Sequence, residues 1–89
     1  MQIREIEITN RLGLHARACA RIVSLASRFR CNVALVCGRR RASARSIVAV
    51  MLLAGGFGSL IRVETDGPDE SAAMTAMLRL LSQGLGAPA

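Results

Sequence analysis

A chain of 89 residues can build one hydrophobic core, near the lower size limit for a domain that stands unaided. With 52% of its residues apolar it folds rather than staying disordered, and its net charge of +6 raises nucleic acid or an acidic protein as a partner. The longest apolar run, residues 47–57, falls short of the ~17–25 residues of a membrane span, and the charged, alternating start MQIREIEITN lacks the apolar core of a signal peptide. The expected setting is therefore cytoplasmic, without direct membrane insertion.

In chain order, residues 2–9 (QIREIEIT) alternate Glu5 and Glu7 with Ile6 and Ile8, which predicts a half-buried strand. NRLG turns the chain. Cys19, Ile22, Val23 and Ala26 then recur at helical spacing, with Arg17, Arg21, Ser24 and Arg28 elsewhere on the wheel, and predict a helix from about Ala16 to Arg28. The β-branched run NVALVC (32–37) predicts a second strand. In Cys37-Gly38-Arg39-Arg40 a glycine stands first in a two-residue turn, where a type II′ hairpin needs positive φ, so a short return strand follows through Ala42 and Ser43.

Ser46 precedes IVAVMLLAG and suits the N-cap of a short helix, its oxygen accepting from a free backbone N–H. GGFGS (55–59) reads as loop. LIRVETDG sets Ile61, Val63 and Thr65 against Arg62 and Glu64 and predicts the last strand. The final helix is expected to hold Pro68 near its first turn, with Asp69 and Glu70 suited to the N-terminal dipole. Met74, Met77, Leu78 and Leu81 form its core stripe, Gly84 closes it, and a tail from about residue 85 is expected to fray.

The order βαββαβα implies an α/β (α+β) open-faced β-sandwich: a four-stranded, mainly antiparallel sheet with three helices on one face, in a single domain over residues 1–89. On the uncovered face Ala34 and Val36 form an apolar patch with potential for self-association. Cys19, Cys31 and Cys37 are odd in number and lack CxxC spacing, which suits reduced thiols in a cytosol. Cys31 and Cys37, six apart on extended chain, would stand about 20 Å from each other, beyond disulfide reach. His15 and Cys19 could share a helix face, but two ligands make a poor zinc site, so no metal is expected. All twelve basic residues are arginines, spread along the chain with one cluster at Arg39, Arg40, Arg41 and Arg45. Two phenylalanines and no other aromatic residue leave few platforms for stacked bases, so no nucleic acid is expected.

The stretch GLHARACA (13–20) carries the chemistry. A lone histidine is ordinarily an unremarkable surface residue. Here His15 stands at the opening of a helix, where free N–H groups and the positive dipole end favour an anion, and Arg17 supplies a nearby cation. Gly13 gives the turn its freedom and leaves room for a docking protein. An imidazole with a free lone pair can attack phosphorus, so histidine, glycine and arginine fit one hypothesis, a covalent phosphohistidine. The sequence offers no second acid, base or nucleotide loop, which describes a carrier of phosphate between proteins rather than an enzyme acting alone, with no cofactor.

GLHARACA followed by ARSIVAVMLLA and DGPDE resembles the HPr family, the histidine-containing phosphocarriers of the bacterial phosphoenolpyruvate-dependent phosphotransferase system, over roughly residues 2–85. The HARA form resembles the proteobacterial type, including its nitrogen-related branch. The resemblance implies that His15 is phosphorylated at Nδ1 and that Arg17 attends the phosphoryl group. It implies enzyme I as donor and, as acceptor, the A-component of a sugar permease or a regulatory homologue. Ser46 resembles the regulatory serine phosphorylated by HPr kinase/phosphorylase. Ile47, Val48 and Met51 resemble an apolar docking patch, while Val50 and Leu53 read as interior. Ala18 stands where many members have proline, and Arg45 where lysine is common. A monomer is expected. The competing readings are an HPr-like regulatory or interaction domain without phosphotransfer, and a basic nucleic-acid-binding module.

Overall fold

The computed structural model describes residues 1–9, 11–53, 56 and 58–84. Its elements are β1 (Gln2–Glu7), α1 (Ala16–Ala26), β2 (Asn32–Cys37), β3 (Arg40–Ser43), α2 (Ile47–Leu52), β4 (Leu60–Asp66) and α3 (Glu70–Arg79), followed by a π-helical turn, Leu80–Gly84. The strands lie in the order β1-β4-β2-β3, every pairing antiparallel. This is the expected open-faced arrangement, with the helices on one face.

Alternation in the strands decides which face they cover. Ile61, Val63 and Thr65 of β4, Val33 and Leu35 of β2 and Ala42 of β3 are buried. They meet Ala18, Cys19, Ile22 and Ala26 of α1, Val50 of α2, and Ala73, Met74 and Met77 of α3 in one core. The buried Thr65 hydroxyl donates to the Glu70 carbonyl at 3.0 Å, so this polar group costs the core little.

On the open face Glu64 is only 6% exposed, held between Arg41 and Arg62 at 2.5 and 2.9 Å. The hydrogen bond from Arg41 is the leading cause that pulls its carboxyl below the usual carboxylate range. The same two arginines stand opposite Val36 on the neighbouring strands. Ala34 and Val36 are half-buried, and the patch expected there is correspondingly reduced.

The expected boundaries shift at three places. β1 ends at Glu7 because Ile8, fully buried, exchanges backbone bonds with the loop after α2, its N–H donating to Ser59 and its carbonyl accepting from Gly58. α1 ends at Ala26, two residues before Arg28, where the N–H groups of Arg28 and Phe29 turn to the carbonyls three residues back, Leu25 at 3.0 Å and Ala26 at 3.2 Å, and the chain tightens out of the helix. Pro68 lies outside α3, whose N-cap is Asp69. The Gly38 turn and the β3 return strand form as expected, with Gly38 at φ +61°. All three cysteines are free. The tail expected to fray lies outside the described residues.

Candidate functional site

Gly13, at φ +61°, turns the chain into α1. His15 follows as the N-cap, in extended conformation, and its carbonyl accepts the first helical bond from Cys19 at 2.9 Å. Cys19 also donates its thiol to the Leu14 carbonyl at 3.4 Å, tying the residue before the histidine to the first turn. Burial pushes the Cys19 thiol up, so it remains protonated and structural.

A capping side chain ordinarily accepts from the first-turn N–H groups. The His15 ring makes no such bond. It is half-buried, and its Nε2 is fully enclosed without a hydrogen-bond partner. The donors at the head of this eleven-residue helix therefore remain unused by the cap. Arg17, in the first turn, is exposed, and none of the ion pairs among the described residues includes it.

The surroundings are one-signed. All six acidic residues lie on β1, on β4 or at the β4–α3 corner, and α1 and α2 contain none. Several arginines serve the fold instead of the site. Arg40 donates to the Leu52 carbonyl at 2.7 Å, securing the end of α2 on β3. Arg45 donates to the carbonyls of Phe29 and Cys31 and holds the α1–β2 loop. The cluster noted in the sequence is thus dispersed among separate structural tasks.

α2 packs beside α1. Ser46 caps it, its oxygen accepting from the Ala49 N–H at 3.2 Å, and the residue is exposed. Val50 and Leu53 are buried, whereas Ile47, Val48 and Met51 are 41%, 63% and 46% exposed. Sequence reasoning missed a fourth exposed apolar residue of the same helix, Leu52 at 62%. Leu52 was recoverable from helical spacing, four residues beyond Val48. Four of the six residues of this helix are thus apolar and exposed, a concentration that marks contact surfaces.

Residues 3–83 match the family model described as the PTS HPr component phosphorylation site. The chain belongs to the HPr family. It is 47% identical to the phosphocarrier protein HPr of Cupriavidus necator over 93% of each chain, and 49% identical to that of Xylella fastidiosa over 85% of each. Its fold superposes on an HPr from Thermoanaerobacter tengcongensis with a TM-score of 0.92, 31% identity and full coverage of both chains. An HPr dimer from the same organism matches at a TM-score of 0.76 with 32% identity, covering 97% of this chain and 99% of that one. As an HPr, the protein is a phosphocarrier of the bacterial phosphotransferase system. No helix among the described residues is long and apolar enough to cross a membrane.

Proposed function

We propose that this HPr accepts a phosphoryl group on His15 from phosphorylated enzyme I and passes it to the A-component of a sugar permease or a regulatory homologue. The observation that carries the reading is an N-cap histidine that does not cap. With Nε2 enclosed, the half-buried ring offers Nδ1 to a partner. The Nδ1 lone pair attacks phosphorus, the N–P bond forms as the bond to the donor's group breaks, and the reverse displacement on the acceptor returns the free ring. The new negative charge meets the first-turn N–H groups of α1 and the Arg17 guanidinium, both cationic in effect. The protein supplies a covalent station and no turnover of its own.

Partners cover the apolar surface of Ile47, Val48 and Met51, extended by Leu52. Ser46 is the regulatory residue, modified by an HPr kinase/phosphorylase where the cell has one. Phosphate at Ser46 would add roughly −1.5 to −2 charges at the head of α2, tolerable to the helix but costly to desolvate against an apolar partner. The carrier works as a monomer, because its partners need that surface free.

Incubation with enzyme I and phosphoenolpyruvate tests the assignment. The wild-type chain should gain one acid-labile phosphoryl group, and His15→Ala should gain none. Labelling of the alanine variant at the wild-type rate would place the acceptor elsewhere, and no labelling of either chain would favour a purely regulatory domain.

A further inference from the structure

α1 packs on α2 with one flank and on α3 with another. Along the second flank runs an open groove that shares no residue with the phosphoryl site or the α2 surface. Two hollows of about 240 and 410 Å³ adjoin there, both lined by Leu25 and Leu80, with Ala76 extending the apolar floor. Arg21 of α1 and Arg28 just beyond it edge one hollow and Arg79 of α3 edges the other, and among the described residues no acidic one lines either. Arg28 and Arg79 are exposed and take no part in the ion pairs among the described residues.

An apolar floor between cationic edges selects its occupant by two requirements at once. The floor gains from aliphatic side chains, because burying them removes apolar surface from water. The edges gain from carboxylates, and none of this chain's own acids, on β1, on β4 and at the β4–α3 corner, lines either hollow. A helix with leucine-type residues three and four apart and glutamates beside them meets both requirements along one face. A nucleic acid meets only the second, since among the described residues no aromatic side chain lines the groove for a base to stack upon.

We infer that the α1–α3 groove is a second docking site, for an acidic amphipathic helix of a partner protein. The inference does not depend on phosphoryl transfer at His15. Two partners, one at the α2 surface and one at this groove, could therefore hold the carrier together.

The probe is a synthetic helical peptide with leucines at alternating spacings of three and four and glutamates at the flanking positions, titrated into isotope-labelled protein. Saturable binding should shift the backbone amides of Leu25, Arg28, Ala76, Arg79 and Leu80. The variant Arg28→Glu/Arg79→Glu should bind at least about tenfold more weakly, and so should a peptide with glutamine for glutamate at the wild-type groove. A lysine-for-glutamate peptide should restore binding to the charge-reversed variant. Because both arginines are exposed, that variant should keep its melting temperature and its rate of His15 labelling by enzyme I. The inference is overturned by shifts that fall on α2 and His15 instead, or by equal binding of the glutamine peptide. It is overturned equally if an oligothymidylate, or vesicles of anionic phospholipid, occupy these residues more tightly than the peptide.

Discussion

Two helices of this protein begin on an N-cap residue whose side chain ignores its own helix, and the two side chains have opposite fates. At the head of α3 the Asp69 carboxylate accepts from the backbone N–H groups of Arg30 and Cys31, both at 2.9 Å. It fastens the α1–β2 loop to the β4–α3 corner, and Gly67, at φ +149°, lets that corner pack on Cys31, because a Cβ at this position would lie 2.7 Å from the Cys31 Cα, closer than atoms can approach. At the head of α1 the His15 ring bonds to nothing, with Nε2 enclosed and unsatisfied. A buried polar atom without a partner is unfavourable to folding. The fold uses Asp69 completely and leaves the His15 ring unbonded, which supports the chemical role proposed for His15.

The sharpest way to break this contrast is to exchange the losses. His15→Ala should abolish phosphoryl acceptance, a fall of more than about a thousandfold, while its melting temperature moves by only a few degrees because no hydrogen bond is lost. Asp69→Ala should do the reverse, lowering the melting temperature by roughly 5–10 °C as two backbone donors lose their acceptor. Its labelling rate at a temperature where it remains folded should stay near wild type. A thermally crippled His15→Ala, or an Asp69→Ala that melts normally, would collapse the distinction.

Arg17→Ala probes the same site with a smaller expected effect. Removal of one charge-stabilising donor should slow transfer ~10- to 1000-fold, with a melting temperature close to wild type, since Arg17 is exposed and unpaired among the described residues. An unchanged rate would reduce it to solvated surface.

Ser46 caps α2 and is also the proposed regulatory residue, and its variants separate the two. Ser46→Ala removes the oxygen that accepts from Ala49 and should cost about 0.5–2 kcal/mol, as lost caps do. Ser46→Asp keeps an acceptor at the cap and should melt within a few degrees of wild type. It should nevertheless accept phosphate markedly more slowly, because its charge adjoins Ile47, Val48 and Met51. Equal transfer rates for Ser46→Asp and wild type would leave the residue a cap alone.

The smallest expected effect is in the acid limb of stability. The backbone N–H of Arg30 is the leading cause that lowers the Asp69 carboxyl, that of Gly67 lowers Glu70, and the bond from Arg41 lowers Glu64. Each folded carboxyl thus ionises at lower pH than its unfolded counterpart. Their stabilisation is complete above the unfolded value and is lost as pH falls through the folded one. The melting temperature should hold from pH 7 to about 5 and drop below about pH 4, and Asp69→Asn should flatten that drop. An acid limb of the same steepness in that variant would show that Asp69 is not among its causes.

Much of this was legible in the chain itself, because the relevant forces are local. Period-two alternation in LIRVETD and period-four recurrence of Cys19, Ile22, Val23 and Ala26 report which side of an element is apolar, and burial follows. Gly38 and Ser46 were readable because a tight turn and a helix cap each need a particular residue within a few positions. The placing of His15 and Arg17 at one helix start was readable for the same reason, and they stand as the N-cap and a first-turn residue of α1. The ends of β1 and α1 were less so, since Ile8 is drawn out of the strand by Ser59 and Gly58, fifty residues away in sequence.

What composition and spacing determined, then, was the set of elements, the apolar face of each, and the proximity of one histidine to one arginine at a helix start. Only the tertiary structure decided which polar groups find partners. Arg41 and Arg62 meet Glu64, Arg40 meets the end of α2, Arg45 meets the loop after α1, and Asp69 bridges a gap of 38 residues to Cys31. Those pairings depend on which strands lie side by side, and strand order is set by packing of the whole core rather than by any short stretch of sequence. By the same token the enclosed, unpartnered Nε2 of His15 and the arginine-edged groove between α1 and α3 exist only once three helices share one face of the sheet.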